Sequence, residues 1–159
     1  MKSKLINQDG LARTTEIEFE KGVIKTPVFM PVGTYGTVKT STPDELLDLG
    51  AEIILGNTYH LMIRPGEEII NAHNGLHNFM GWKKPILTDS GGFQIWSLSK
   101  KTKINDDYVE FDSPVNGDII RLTPEKAMQI QNILGSDIQM VLDECTKYPA
   151  TKMEASLSM

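Results

Sequence analysis

Pro85-Ile86-Leu87-Thr88-Asp89-Ser90-Gly91-Gly92-Phe93-Gln94 carries more structural information than any other stretch of this chain. A short apolar run rises to a carboxylate, two glycines remove the side chains, and an aromatic ring follows. That order suits a buried strand delivering one acid to the rim of a sheet. The glycines let backbone N–H groups approach a ligand closely, and the Phe93 ring is free to stack on something flat. A plain strand closed by a tight Gly-Gly turn fits the same residues, so the neighbouring segments have to decide.

Upstream, residues 51–55 form an apolar run that ends in Gly56-Asn57-Thr58-Tyr59-His60. Arg64-Pro65-Gly66 then opens a helical stretch from Glu67, and Gly75 interrupts before Phe79-Met80-Gly81-Trp82. Residues 26–32 are apolar but broken by Pro27 and Pro31, which predicts a strand with constrained ends. A Gly- and Thr-rich loop follows. Ser41-Thr42-Pro43-Asp44-Glu45 carries N-cap chemistry for a helix over 43–49, closed by Gly50. Near the start, residues 16–19 alternate polar and apolar after the Gln8-Asp9-Gly10 turn, which predicts a short strand. Downstream, residues 109–111 and 119–122 flank Asn116-Gly117-Asp118, a strong hairpin signal. Thr123-Pro124-Glu125 caps a helix with Ala127, Met128, Ile130, Ile133 and Leu134 at helical spacing, and Gly135 closes it. Residues 138–142 predict a last buried strand, ending in Asp143-Glu144-Cys145.

Strands separated by single helices imply βα units and a parallel sheet, because a parallel return needs a crossover. Each strand ends in polar or Gly-rich residues: Gly33-Thr34, Asn57-Thr58, Asp89-Ser90 and Asp143-Glu144. In barrels and open α/β sheets alike, chemistry sits at the carboxyl ends of strands. About four units are present, half of an eightfold barrel. The expected fold is therefore α/β, the first half of a (β/α)8 TIM barrel with a β-hairpin insertion, residues 1–159 forming part of one domain. Ser156-Leu157-Ser158-Met159 stops partway through a new helix, so the expected context is the N-terminal part of a longer protein.

Apolar content of 40% and charged content of 23% are ordinary for a globular domain of 159 residues. No apolar run approaches the ~18 residues that span a bilayer, and Met1-Lys2-Ser3-Lys4-Leu5 lacks the apolar core of a secretory signal. The lone Cys145 excludes an internal disulfide framework and fits a reducing cytoplasm. A net charge of −5 argues against nucleic-acid binding by the overall field. Lys83-Lys84 and Lys100, Lys101 and Lys103 read as solvated loops rather than phosphate contacts.

Asp89 and Asp143 leave strand ends that should share one rim. A carboxylate there can act as base, nucleophile or hydrogen-bond acceptor, while an N-cap role fits Asp143 equally well. Asn57, at the neighbouring strand end, is placed to hold Asp89 through its amide, or else it simply turns the chain. Gln94 adds a donor and an acceptor suited to a base edge. Phe93 could stack on a nucleobase or pack in a core. His73 and His77 have a spacing used by metal sites on helices, but Gly75 lies between them and no further ligand completes a set. No metal site is expected in this chain.

The segments Thr26-Pro27-Val28-Phe29-Met30-Pro31-Val32-Gly33, Ile54-Leu55-Gly56-Asn57-Thr58-Tyr59-His60-Leu61, Gly81-Trp82, Leu87 to Gln94, Leu134-Gly135-Ser136-Asp137-Ile138 and Leu142-Asp143-Glu144-Cys145-Thr146 together resemble the bacterial tRNA-guanine transglycosylases. The resemblance runs over essentially the whole chain, spacing included. It implies a (β/α)8 barrel with a zinc subdomain. It also implies exchange of the wobble guanine of certain tRNAs for a 7-deazaguanine, through a covalent ribosyl–enzyme intermediate. By that resemblance Asp89 is the general acid/base, Ser90, Gly91 and Gly92 line the pocket, Phe93 stacks on the purine, and Asp143 accepts hydrogen bonds from the guanine edge. Asn57 and Gln94 support them. The partners implied are tRNA and a guanine-type base, with a homodimer at full length.

Two parts of the family pattern are missing. The nucleophilic aspartate and the Cys-rich zinc ligands are expected beyond residue 159, so no cofactor is expected within this chain and the chain alone is expected to be inactive. Within the family, an archaeal-type enzyme acting in the tRNA D-arm is the alternative. From other classes, a non-catalytic partner subunit or remnant, and a glycoside hydrolase barrel with paired carboxylates, remain open.

Overall fold

The computed structural model describes residues 1–99 and 101–158; Lys100 of the basic run and the terminal Met159 lie outside them. The fold is mixed α/β, with three sheets of three strands each. The first is an antiparallel meander of β1 (Lys2–Asp9), β2 (Ala12–Phe19) and β3 (Gly22–Thr26). Its opening turn uses Gly10 at φ 58°. The strand expected over residues 16–19 is thus the end of a longer one, paired along its length with β1, which the sequence reading missed.

The middle sheet is parallel and comprises β4 (Ile54–Gly56), β5 (Ile86–Thr88) and β9 (Ile138–Gln139), side by side in chain order. The strand expected over residues 26–32 is not formed as such: Thr26 ends β3, and no strand runs through residues 27–31. Pro27 and Pro31 lack the N–H that a ladder requires, so only Val32 bridges to Leu55. There Leu55 donates to the Pro31 carbonyl at 2.9 Å and Gly33 donates to Leu55 at 2.7 Å. The last strand is also shorter than the expected 138–142: Ile138 and Gln139 are half-buried and Val141 is exposed. No strand pairs with β9 on its outer side among the described residues, so burial cannot hold the chain extended beyond Gln139. Among the described residues the parallel strands do not close into a barrel; the parallel part is a short, open sheet.

Between these strands run α1 (Pro43–Asp48), α2 (Thr58–Leu61), α3 (Glu67–Ala72) and α4 (Leu76–Met80). Thr42 caps α1, as the N-cap chemistry of its sequence predicts, and Glu45 completes a reciprocal capping box. After β5 come α5 (Gly92–Leu98) and the third sheet, β6 (Thr102–Ile104), β7 (Val109–Asp112) and β8 (Ile119–Leu122). The hairpin at Asn116-Gly117-Asp118 joins β7 to β8, with Gly117 at φ 77°. Then α6 (Pro124–Leu134), capped by Thr123 and closed by Gly135, leads to β9, and α7 (Lys152–Leu157) lies near the end.

The parallel sheet is covered on both faces, as such sheets must be. On one face Ile54 and Ile86 pack with Leu61, Ile70, Leu76, Trp82, Ile130 and Leu134. On the other, Leu87 and Ile138 pack with Ile53 and with Phe19 and Ile24 of the first sheet. At the amino end of the sheet, the nearly buried Asp137 carboxylate accepts from the Ile86 N–H at 2.9 Å and faces His77 Nε2 at 3.0 Å and Lys21 Nζ at 3.6 Å. His73 lies elsewhere, bonded to the Ile69 carbonyl, so the two histidines do not converge.

Burial holds the His77 imidazole below its ordinary range, against the opposing pull of Asp137. The unfolded chain therefore binds a proton at higher pH than the folded one. Stability from this group is full above the unfolded value, near 6.5, and is lost as pH falls through the folded one. Urea unfolding of the chain between about pH 8 and about pH 5 should show declining stability, and His77→Gln should flatten that decline. An unchanged slope in His77→Gln would exclude this imidazole as the responsible group.

Candidate functional site

The register Gly56↔Thr88 places Asn57 beside Asp89, one residue further along each strand. The Asp89 N–H donates to the Gly56 carbonyl at 3.2 Å. Both oxygens of the half-buried Asp89 carboxylate are held. Asn57 Nδ2 donates to Oδ2 at 2.6 Å, and the Thr58 main-chain N–H donates to Oδ1 at 2.8 Å. The Thr58 hydroxyl donates to the Asp89 carbonyl at 2.5 Å. Asn57 and Thr58 are themselves buried, so these donors cannot swing away and the carboxylate has one orientation. Each carboxylate oxygen retains lone-pair capacity for a ligand.

Local geometry explains Thr58. Asn57 leaves β4 extended, and Thr58 begins α2 at once. Its N–H belongs to the first helical turn and has no partner in the helix, so it is free to bond Asp89. The sequence reading treated Asn57 to His60 as a strand end and missed this. A hydroxyl residue directly after a strand-terminal Asn was the available signal.

The glycine pair works through close approach. Gly91 stands at φ 87°, and a Cβ there would lie 3.3 Å from the Tyr59 nitrogen. Gly92 starts α5 and faces Asp143: a Cβ at Gly92 would overlap the Asp143 carbonyl oxygen and stand 2.8 Å from its Oδ1. Ser90 Oγ, buried, donates to Asp143 Oδ1 and accepts from the Gly92 N–H at 3.1 Å. Asp143 is exposed, with one carboxylate oxygen held by Ser90. Asp89 and Asp143 are thus connected through Ser90, the neighbour of one and the partner of the other.

Phe93 is 56% exposed, its ring 5.9 Å from that of Trp96, so it belongs to the surface and not to the core. Gln94 turns its Oε1 inward, where it is buried and has no hydrogen-bond partner among the described residues. A cavity of about 230 Å³ is lined by Gly92, Trp96, Tyr108, Asp143 and Cys145, among others; Asp89 is not part of its lining. Burial pushes the Cys145 thiol up, and Asp143 and Glu144 push it the same way, so it is not an activated nucleophile. Burial lowers His60, with Asp89 acting in the opposite sense. The Cys-rich zinc centre that the resemblance implies finds no donor set here. Cys145 is the one cysteine of the sequence, and no group of three or more metal-binding side chains occurs among the described residues. No helix among them is long and apolar enough to cross a membrane.

These features define a mixed α/β protein with one carboxylate, Asp89, leading into a Ser-Gly-Gly turn at the carboxyl edge of a parallel sheet and a second, Asp143, seated against that turn. The family model described as queuine tRNA-ribosyltransferase matches residues 8–159, and the chain belongs to that family. It is 60% identical over 159 residues to a queuine tRNA-ribosyltransferase of Aliivibrio salmonicida (strain LFI1238), covering 100% of this chain and 42% of that protein. A relative of the same name from Thioalkalivibrio sulfidiphilus (strain HL-EbGR7) is 60% identical, with 100% and 43% covered. One from Thiobacillus denitrificans (strain ATCC 25259 / T1) is 59% identical, again with 100% and 43% covered. The chain therefore spans well under half the length of these relatives.

Proposed function

We propose that the protein carrying this chain is a pentosyltransferase that exchanges the wobble guanine (position 34) of certain tRNAs for a 7-deazaguanine (preQ1), a step of queuosine biosynthesis. The observation that carries this reading is the Asp89 carboxylate, held on both oxygens by Asn57 and Thr58 beside a glycine turn that seats Asp143. The relatives' shared name supports it. An enzyme carboxylate attacks the ribose C1′ and the C1′–N9 bond breaks. Its electron pair leaves with guanine, which takes the proton carried by the acid form of Asp89 and leaves the carboxylate. The incoming base then gives its N9 proton to Asp89 as N9 attacks C1′ and the bond to the enzyme breaks. Two inversions amount to retention, and Asp89 ends as it began.

In this scheme Asp143 accepts from the N1–H and N2–H edge of the base. Ser90, Gly91 and Gly92 line the pocket, Phe93 stacks on the ring and Gln94 supports the turn. A flipped base requires this combination of stacking face and edge recognition. We assign the attacking carboxylate and the zinc to the part of the relatives' length that this chain does not cover. A (β/α)8 barrel is supported by the chain-order adjacency of Val32, β4, β5 and β9, because doubly wound sheets reverse order at a switch point. The homodimer and the cytoplasmic location rest on the family resemblance and on the tRNA substrate.

Incorporation of labelled guanine into tRNA tests the proposal. A protein of the relatives' length that contains this chain is expected to exchange guanine, and the 159 residues alone are expected not to. Exchange by the 159 residues alone would overturn the placement of the nucleophile. Binding of saccharides without binding of guanine analogues would replace the transglycosylase with a glycoside hydrolase.

A further inference from the structure

Gln131 makes no hydrogen bond to the site residues among the described residues, yet it is 0% exposed on α6, among inward residues that are otherwise apolar. All the hydrogen-bonding capacity of its amide is used. Oε1 accepts from the Met140 N–H at 2.9 Å and from the Thr88 hydroxyl at 2.9 Å. Nε2 donates to the Met140 carbonyl at 2.8 Å and, at 3.4 Å, to the Ala127 carbonyl. Because an amide oxygen cannot donate, the Thr88 proton must point to Gln131. The 2.6 Å contact between Thr88 and Ser136 therefore has Ser136 as its donor.

This network ties two strand ends together. Thr88 immediately precedes Asp89, and Met140 lies three residues before Asp143. Beyond Met140 the chain has no regular structure up to Asp143, and Val141 is exposed. Apart from Gln131, the Met140 backbone has one bond, from its N–H to the Thr88 carbonyl at 3.2 Å. One side chain thus grips the segment bearing Asp143 by both main-chain groups of Met140, while its oxygen holds the residue beside Asp89.

We propose that Gln131 is a positioning residue: it sets the spacing between the Asp89 and Asp143 strand ends, and through it the fit of the base that Asp143 reads. The second half of this rests on the function proposed above. The test uses the family-length protein, with guanine as the probe. Gln131→Met keeps the side-chain length and deletes every bond. Guanine is expected to bind about ten- to a hundredfold more weakly, with KM for tRNA unchanged. Gln131→Glu can replace the amide only while its carboxyl is neutral, donating O–H to the Met140 carbonyl and accepting from the Met140 N–H. Once ionised, it faces that carbonyl with like charge. Guanine binding by Gln131→Glu should therefore be close to that of the parent at low pH and weaken as pH rises, over a range where the parent is flat.

Affinity within about twofold of the parent in a folded Gln131→Met protein would overturn the proposal, on the scale that misplaced groups produce. So would a Gln131→Glu profile that parallels the parent, which decides the matter if Gln131→Met does not fold. A parent that binds no guanine overturns the function proposed above instead. In that case crystal structures of the parent and Gln131→Glu, each at low and high pH, decide the spacing. Superimposable Asp89 and Asp143 strand ends would overturn it, and a shift confined to Gln131→Glu at high pH would support it.

Discussion

Asp89→Asn is expected to lower guanine exchange by about 10²–10⁴-fold in the family-length protein, the scale of a lost general acid/base. The geometry makes this variant informative because it should leave the fold intact. An asparagine at 89 keeps one oxygen for the Thr58 N–H, which now bonds the carboxylate at 2.8 Å. Its NH₂ then meets the Asn57 NH₂, a clash that Asn57 can relieve by rotating its amide to present its oxygen. The hydrogen bond survives with reversed direction, while the proton-transfer capacity does not. Single-turnover exchange with labelled guanine, paired with thermal unfolding, measures both. Exchange within about tenfold of the parent, at unchanged melting temperature, would remove Asp89 from the acid/base role.

Gly92→Ala is expected to weaken guanine binding by about 10²-fold or more, for a steric reason. The added methyl would overlap the Asp143 carbonyl oxygen and crowd its Oδ1 at 2.8 Å. The obstacle is main chain, so no rotamer change relieves it; either α5 or the Asp143 segment must move. Gly92 is helical and does not need a positive φ, so the effect separates close approach from backbone strain. Gly91, at φ 87°, adds a backbone constraint to its own close approach to Tyr59. Overpacking of this sort costs about 1–3 kcal/mol of stability, which urea unfolding would register beside the calorimetric affinity. Parent-like affinity in Gly92→Ala would show that Asp143 does not seat on this glycine in the working protein.

Local chemistry was legible in the residues wherever it is self-contained. Thr42 with Glu45, Thr123 with Pro124, and Gly135 mark helix ends, and they lie where the structure has them. The Asn116-Gly117-Asp118 hairpin is of the same kind. Pairing over distance was not legible. The Lys2–Asp9 strand shows no burial and little alternation, since it lies at the edge of its sheet. Residues 26–32 look like a strand by apolar content, but two prolines leave only the Val32 bridge. The buried strand expected over 138–142 ends at Gln139, at the edge of its sheet, with no strand paired to its outer side among the described residues.

The candidate site divides the same way. Sequence by itself determined the family, the alternation of strands and helices, and the placement of Asp89 and Asp143 after strands. Each of these depends on neighbouring residues or on the order of motifs. Asn57 was already offered by the sequence as the amide that holds Asp89, and it does so. Only the tertiary structure decided that Thr58 joins it, that Ser90 and Gly92 seat Asp143, and that the buried Gln131 amide links Thr88 to Met140. Those contacts join residues tens of positions apart, 31 between Thr58 and Asp89 and 53 between Ser90 and Asp143. Periodicity and capping act within a few residues, whereas these bonds depend on strand register and on how closely one backbone can approach another.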